Sequence, residues 1–138
     1  MRGAERASAL LVAAVLAVSG CTTEPARDWD EPADYTYEAS ITVFGPTAGE
    51  WRVTVRDHEV AEVEGLDEWS TLEGSGGPEN FDTLSQVIER YEQARAAGAD
   101  AVSLKQERDG RPSQYAVDMD KDAVDDELTM VVTAFTTP

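Results

Sequence analysis

An acidic stretch near the C-terminus contains the residues of this chain that best match the ligands of a metal site. Residues 118–127 include six acids and one lysine. Ca²⁺ takes about six to eight hard oxygen ligands, which carboxylates supply. The first three aspartates fit positions 1, 3 and 5 of an EF-hand loop. Ala123, however, stands where that loop needs glycine, and Thr129 stands where it needs a bidentate glutamate.

Two interpretations of this stretch stay open. The favoured one is a solvated turn whose carboxylates accept hydrogen bonds from backbone N–H groups and pair with nearby arginines. The alternative is an irregular Ca²⁺ site; apart from that ion, we expect no cofactor. The candidate ligands of such a site are Asp118, Asp120, Asp122, Asp125, Asp126 and Glu127.

The sequence offers few residues for catalysis. His58 is the only histidine and follows Asp57, but a Ser–His–Asp arrangement also needs a serine close in space, and no pattern places one there. One histidine and one cysteine do not make a zinc ligand set. Asp125 and Asp126 are adjacent carboxylates, but neighbours on a strand point in opposite directions. We therefore expect a protein without enzymatic activity and keep an envelope hydrolase as an alternative.

Four aromatic residues are candidates either for a binding surface or for the hydrophobic core. Aromatic faces stack on sugars and peptides. At alternating strand positions, however, such residues more often form the core, which is the interpretation we favour. The four are Tyr35, Tyr37, Trp51 and Tyr115.

The single cysteine follows a segment with the features of an export signal. Residues 1–6 include two arginines, and residues 7–18 are a 12-residue run in which Ser8 is the only polar member. Spanning a bilayer takes about 20 apolar residues, so this run is too short. A basic start and a short apolar run are typical of a secretory signal peptide. The sequence Val-Ser-Gly-Cys at residues 18–21 resembles the lipobox of bacterial lipoproteins.

The lipobox resemblance implies cleavage before Cys21 and a diacylglyceryl group on its sulfur. Removing residues 1–20 takes away two arginines and one glutamate, so the charge of −17 becomes −17 − 2 + 1 = −18. A chain this acidic is repelled by anionic lipid, and two acyl chains suffice for stable anchoring. We expect the protein on the outer face of the bacterial cell membrane, anchored through Cys21.

The composition argues against nucleic acid as a partner. The 138 residues include 28 acids and 11 bases. Binding to nucleic acid needs lysine and arginine to replace the counterions of phosphate. The length suits one small domain with short appendages.

Periodicity along the chain predicts an α+β domain of order βββαβββ. A capping box at Thr83 and Gln86 and a C-terminal glycine, Gly98, bound the single predicted helix. Its one apolar stripe must pack on an antiparallel sheet. The predicted strands cover residues 35–43, 51–56, 60–63, 102–104, 115–119 and 128–134, where apolar and polar residues alternate.

Three segments follow from these patterns. Residues 1–20 are the predicted signal peptide, and residues 34–138 are the predicted single domain. Between them, residues 21–33 are predicted to form a flexible, lipid-anchored tether, because residues 22–33 hold two prolines, five charges and no apolar periodicity. Within the tether, Trp29 is expected to pack weakly on the domain.

Residues 34–135 resemble the DUF6174 family of uncharacterised bacterial lipoproteins. The matching segments are residues 34–37, 51–60, 98–100, 109–112 and 118–127. Three places depart from the family pattern. A Cys-Phe-Cys-Pro segment reads Val-Phe-Gly-Pro at 43–46, a Tyr-Asp pair reads Lys-Gln at 105–106, and an Asp-Gly turn reads Asp-His at 57–58.

The resemblance implies a location and an architecture but no known activity. We therefore expect a lipid-anchored extracytoplasmic lipoprotein that serves as a non-catalytic binding or envelope-accessory module for an unidentified envelope ligand or protein. A Ca²⁺-dependent module using the acidic stretch is the alternative, and the envelope hydrolase comes after it.

Overall fold

Alternating apolar side chains build six strands, and one helix packs against the sheet that they form, as the sequence predicted. The structure is a computed structural model that describes residues 24–72 and 76–138. A short 3₁₀ turn, Pro78–Asn80, precedes the helix. The elements are β1 (Tyr35–Val43), β2 (Gly49–Arg56), β3 (Glu59–Gly65), α1 (Leu84–Ala97), β4 (Ala101–Gln106), β5 (Pro112–Asp118) and β6 (Glu127–Thr136).

The strands form one antiparallel sheet in the order β3-β2-β1-β6-β5-β4. The first and last strands therefore pair at its centre. Because neighbours are antiparallel, residues 98–100 before β4 and three loops lie at one end of the sheet, which we call the loop end. The three loops are the β1–β2 loop (residues 44–48), the described residues after β3 (66–72 and 76–77) and the β5–β6 loop (119–126). The two tight turns, 57–58 and 107–111, lie at the opposite end, which we call the turn end.

The helix begins and ends where the sequence predicted. Thr83 and Gln86 form the capping box, in which the Gln86 N–H donates to the Thr83 hydroxyl at 3.2 Å and the Thr83 N–H donates to Gln86 Oε1 at 2.9 Å. Gly98 closes the helix at φ 73°, a left-handed conformation that favours glycine. The helix buries its apolar stripe against β4 and β5. The stripe consists of Leu84, Val87, Tyr91 and Ala94.

One face of the sheet forms the core and the other is open. Alternate side chains of β1 and β2 point to the face of the sheet that carries the helix, and they are buried there. Their neighbours point to the open face and are mostly polar. Arg52 on the open face pairs with Glu38 at 2.7 Å and with Glu64 at 2.8 Å. The buried members are Tyr35, Tyr37, Ala39, Trp51, Val53 and Val55.

Residues 24–33 lie on the domain, whereas the sequence predicted a tether reaching to residue 33. The Tyr91 hydroxyl donates to the Glu24 carbonyl at 2.5 Å, and the Ala26 N–H donates to Glu92 Oε1 at 2.6 Å. Gln106 binds the segment from the other side, accepting from the Arg27 N–H at 2.9 Å and donating to the Arg27 carbonyl at 2.8 Å. We call residues 24–33 the strap.

Trp29 packs the strap against the core, as expected for this residue. Its ring meets Tyr35 edge-on at 5.9 Å and Phe135 at 6.2 Å. Gly110 lets the strap pass, because a Cβ there would lie 2.2 Å from the Asp28 carbonyl oxygen. The strap lacks apolar periodicity because backbone groups and scattered side chains hold it, which explains why its sequence resembles a tether.

Candidate functional site

The helix leaves part of the core face uncovered, and a groove opens there towards the loop end. The groove has a volume of about 210 Å³. It lies between the first turns of α1, the residues just before them and the inner faces of β1, β5 and β6. The lining residues are Tyr37, Ile41, Thr47, Asn80, Phe81, Asp82, Val87, Arg90, Tyr115, Val117, Leu128 and Met130.

The groove wall is aromatic and firmly held. Tyr37, Phe81 and Tyr115 are buried. The Tyr37 hydroxyl donates to the Asp82 carbonyl at 2.7 Å, and burial, with a smaller contribution from the Asp82 carboxylate, raises the pKa of Tyr37. Burial also raises the pKa of Tyr115, although nearby Arg90 opposes the rise. Both phenols therefore stay neutral at physiological pH.

The β1–β2 loop is fixed against the same wall. Trp51 packs against Phe81 with ring centroids 4.6 Å apart. The Trp51 indole N–H donates to the Thr47 carbonyl at 2.9 Å. This hydrogen bond holds Thr47 at the mouth of the groove. The groove is thus a preformed feature of the packing.

An ion pair stands at the rim of the groove. Arg90 donates to Asp82 through Nε at 2.5 Å and through Nη2 at 3.1 Å. These two hydrogen bonds join the helix to the residues that precede it. The Arg90 side chain is 60% exposed, so solvent reaches the pair and its energy is modest. The rim offers both a cation and an anion beside an apolar wall.

The size of the groove limits what it can hold. Small-molecule sites commonly measure about 300–1,000 Å³, and this groove is smaller at about 210 Å³. It is suited to one apolar side chain or a group of similar size. Burying such a group contributes about 1.5–3 kcal/mol.

The structure places the acidic stretch at the loop end, where its carboxylates accept backbone hydrogen bonds. The Asp120 N–H donates to Asp126 Oδ2 at 2.8 Å, and the Asp122 N–H donates to Asp120 Oδ1 at 2.9 Å. The Lys121 N–H donates to Asp100 Oδ2 at 2.8 Å. These contacts agree with the backbone-capping part of the favoured interpretation, whereas none of the ion pairs in the described residues joins an arginine to residues 118–127.

Two oxygens of the stretch lack a partner. Asp118 Oδ1 and Asp126 Oδ1 are both buried atoms without a hydrogen bond. Partial burial and the nearby carboxylates of Asp126, Glu127 and Asp100 raise the pKa of Asp118. Across residues 24–72 and 76–138, no three histidine, cysteine or acidic side chains come close enough to hold a metal ion. The six predicted ligands are therefore not assembled as one set.

His58 lies at the turn end, away from the groove and from Asp125 and Asp126. Its Nδ1 is 3.4 Å from Glu31 Oε2, so its polar neighbour is a strap carboxylate. Glu31 also accepts from the Tyr35 hydroxyl at 2.6 Å and from the Ser85 N–H at 3.3 Å. The histidine thus belongs to the contacts that hold the strap and the start of the helix.

The predicted lipidation site, Cys21, lies outside the described residues, as does the predicted signal peptide. The one α-helix within the described ranges is too short and too polar to cross a bilayer.

Part of the groove is predictable from the sequence. Tyr37 and Tyr115, predicted as core residues with a ligand surface as the alternative, both line the groove. Phe81, Asp82 and Arg90 are not predictable in this way, because they come together only when the helix packs. The one local signal is a large apolar residue, Phe81, two positions before the N-cap residue Thr83.

The protein is an α+β domain in which one helix lies across a six-stranded antiparallel sheet. Residues 24–137 match the model of the DUF6174 family, a family of unknown function. The chain belongs to that family, which confirms the resemblance found in the sequence, and the match includes the strap. No curated protein and no solved structure matches the chain.

Proposed function

We propose that this protein is a lipid-anchored, extracytoplasmic, non-catalytic binding module whose groove receives an apolar side chain of a partner protein. The observation that carries the proposal is the preformed aromatic groove with the Asp82–Arg90 pair at its rim. An apolar wall with a few polar groups at its edge is the usual composition of a binding site.

The free energy available from the groove defines the kind of partner. One buried side chain contributes at most about 3 kcal/mol, whereas even millimolar affinity corresponds to about 4 kcal/mol. The partner must therefore contact further surface, which favours a protein over a small molecule.

A capped aromatic amino acid tests the groove. N-acetyl-phenylalaninamide is titrated against the full chain in detergent while the methyl NMR signals of Val87, Leu128 and Met130 are followed. We expect concentration-dependent shifts confined to these methyls, with half-saturation above millimolar, because one buried side chain contributes at most about 3 kcal/mol. Thr47→Trp, which fills the groove mouth, should abolish the shifts.

The matched control is Thr42→Trp, because Thr42 is exposed on β1 and does not line the groove. It should leave the titration unchanged. Shifts that spread to methyls outside the groove, or that are equal in both variants, would contradict a binding groove.

The anchor is proposed from the lipobox at residues 18–21. A Cys21→Ser chain has no thiol to acylate, so we expect it to leave the membrane fraction and to be released. Thr22→Ser is the control and should stay with the membrane. Retention of Cys21→Ser would count against lipidation.

A Ca²⁺-dependent module is the second candidate, favoured by the unpartnered oxygens of Asp118 and Asp126. A divalent cation between them would relieve the repulsion that raises the pKa of Asp118. Thermal unfolding is measured in millimolar Ca²⁺ and in EDTA. A higher Tm in Ca²⁺ that Asp118→Asn removes would support the site, and equal Tm values would exclude it.

A further inference from the structure

Large apolar side chains are exposed at one end of this molecule. Among the described residues, seven are more than a third exposed, and six of them lie in the three loops of the loop end. Phe44 is 83% exposed, Trp69 70% and Val124 92%. The other three at this end are Leu66, Leu72 and Met119. The seventh, Val131, lies on the open face of the sheet.

The strand order brings these loops into one row. Strands β3, β2, β1, β6 and β5 are consecutive neighbours, and neighbouring strands are about 4.8 Å apart. The loops that leave them therefore follow one another over roughly 20 Å. Val43 pairs with Leu128, so Phe44 begins its loop beside the start of β6, where the acidic loop ends.

Hydrogen bonds hold the loop after β3 in place, and Trp69 projects from this loop. The Ser70 N–H donates to Asp67 Oδ1 at 2.9 Å, and the Asp67 N–H donates to the Ser70 hydroxyl at 3.1 Å. The hydrogen bonds from Ser70 lower the pKa of Asp67. A Cβ at Gly65 would lie 2.5 Å from the Ser70 carbonyl oxygen, so this loop is closely packed on β3. Trp69 is exposed although its neighbour Ser70 is buried.

The same loops are strongly acidic. Their described residues include one base, Lys121, and six acids. The acids are Asp67, Glu68, Asp120, Asp122, Asp125 and Asp126. Contiguous exposed apolar residues on a soluble protein mark an interaction site. Acidic surroundings select a partner of opposite charge and disfavour both anionic lipid and a second copy of this acidic end.

We infer that the loop end is a docking surface for a basic protein segment that carries aromatic or aliphatic side chains. Its apolar contacts are Phe44, Trp69 and Val124, and the carboxylates of the β5–β6 loop attract the lysines and arginines of the partner. This inference does not require the groove to be occupied.

Anisotropy of a labelled peptide tests the surface. The probe is a 12-residue peptide of alternating lysine and phenylalanine, titrated against the full chain in detergent. We expect saturable binding. Trp69→Ser and Phe44→Ser should each weaken it about tenfold, while Val131→Ser on the open face should leave it unchanged. A probe with serine in place of phenylalanine should bind much more weakly.

A charge-matched pair tests the electrostatic part. Asp122→Asn with Asp125→Asn removes two charges from the loop end. Glu59→Gln with Glu62→Gln removes two exposed charges from β3. The first pair should weaken binding and flatten its salt dependence, and the second should do neither.

Several outcomes would overturn the inference. Equal losses in both charge pairs would mean attraction by net charge alone. If Trp69→Ser and Phe44→Ser leave binding unaffected, the exposed apolar side chains do not dock the peptide. If the chain sediments with zwitterionic vesicles and Trp69→Ser abolishes this sedimentation, the surface binds lipid instead. If the chain is a dimer that dissociates in Trp69→Ser, the surface binds a second copy.

Discussion

The fold disfavours the charged form of Asp118. Its carboxylate is partly buried, lies near three other acids and has an oxygen without a partner. Its pKa is raised in the folded state, so the folded state binds the proton more tightly than the unfolded state does. Stability linked to Asp118 is therefore present at low pH and falls as the pH rises through the unfolded and then the folded pKa.

Asp118→Asn removes this charge, and we expect it to raise the free energy of unfolding at pH 7. The gain should shrink as the pH falls through the raised pKa of folded Asp118 and should vanish below the ordinary aspartate pKa of about 4, because Asp118 is then protonated in both states. Urea unfolding of both proteins at pH 3 and pH 7 measures it. Asp122→Asn, at an exposed position of the β5–β6 loop that follows Asp118, is the control. An equal or larger gain at pH 3 would refute this account.

His58 stands in a backbone conformation that suits glycine better. Asp57 and His58 form the two-residue turn between β2 and β3, with φ values of 51° and 62°. Such a turn matches the twist of a hairpin, and it holds both residues in the left-handed region. A residue with a Cβ loses roughly 1 kcal/mol there relative to glycine.

We expect His58→Gly to stabilise the protein by about 0.5–1 kcal/mol. The loss of the 3.4 Å contact with Glu31 offsets little of this gain in stability, because the His58 side chain is 54% exposed. His58→Ala removes the same imidazole but keeps the Cβ, so it should show no such gain. Thermal unfolding compares the three proteins. A lower Tm for His58→Gly than for His58→Ala would show that the Glu31 contact dominates.

At the scale of elements, the strap is the part most sensitive to one methyl group. Gly110 has φ 93° and faces the Asp28 carbonyl, 2.2 Å from where a Cβ would lie. Gly98 has φ 73° and no atom within 4 Å of its Cβ position. The two glycines share the backbone cost of substitution, but only Gly110 also has a steric one.

Gly110→Ala should therefore displace the strap, and Gly98→Ala should not. We expect faster hydrogen exchange at the N–H groups of Ala26 and Arg27 in Gly110→Ala, because their acceptors on Glu92 and Gln106 are lost. Gly98→Ala should cost about 1 kcal/mol in global stability while keeping the strap exchange pattern. Equal strap exchange in both variants would mean that the strap adapts around Gly110.

The elements themselves could be predicted because their patterns are local. Alternation over residues 35–43 identifies β1, Tyr35–Val43, residue for residue. The capping box and Gly98 identify both ends of α1. The strap was missed because hydrogen bonds from distant residues such as Gln106 hold it, and no local sequence pattern records such contacts.

For the whole molecule, the strand order is the feature that local patterns do not reveal. The pairing of β1 with β6 joins residues about a hundred positions apart, and alternation within a strand does not identify its neighbour. That pairing creates both candidate surfaces. It brings Tyr37 and Met130 into one groove and places the β1–β2 loop beside the acidic β5–β6 loop.

Charge is also distributed unevenly over the molecule. The turn end carries Arg56, Arg108 and Arg111 beside the acids Asp57, Glu107 and Asp109, whereas the described residues of the three loops hold six acids and one base, Lys121. The excess of acids at the loop end attracts a basic partner. It also concentrates like charges there, in a chain that already has 28 acids against 11 bases.

Self-repulsion should therefore dominate the salt dependence of stability. The screening length falls from about 30 Å at 0.01 M salt to about 3 Å at 1 M, so added NaCl weakens repulsion throughout the molecule. It also weakens ion pairs, but the five in the described residues include one histidine and have at least one partner 40% or more exposed. Exposed pairs of this kind contribute little. We expect Tm to rise with NaCl.

The size of that rise should depend on which charges are present. Asp122→Asn with Asp125→Asn removes repulsion from the acidic loop, so the Tm of that variant should respond less to NaCl. Differential scanning calorimetry at several NaCl concentrations measures both slopes, and sucrose at equal osmolality controls for solute exclusion. A Tm that falls with NaCl would mean that attractive pairs, above all Arg52 with Glu38 and Glu64, outweigh the net charge.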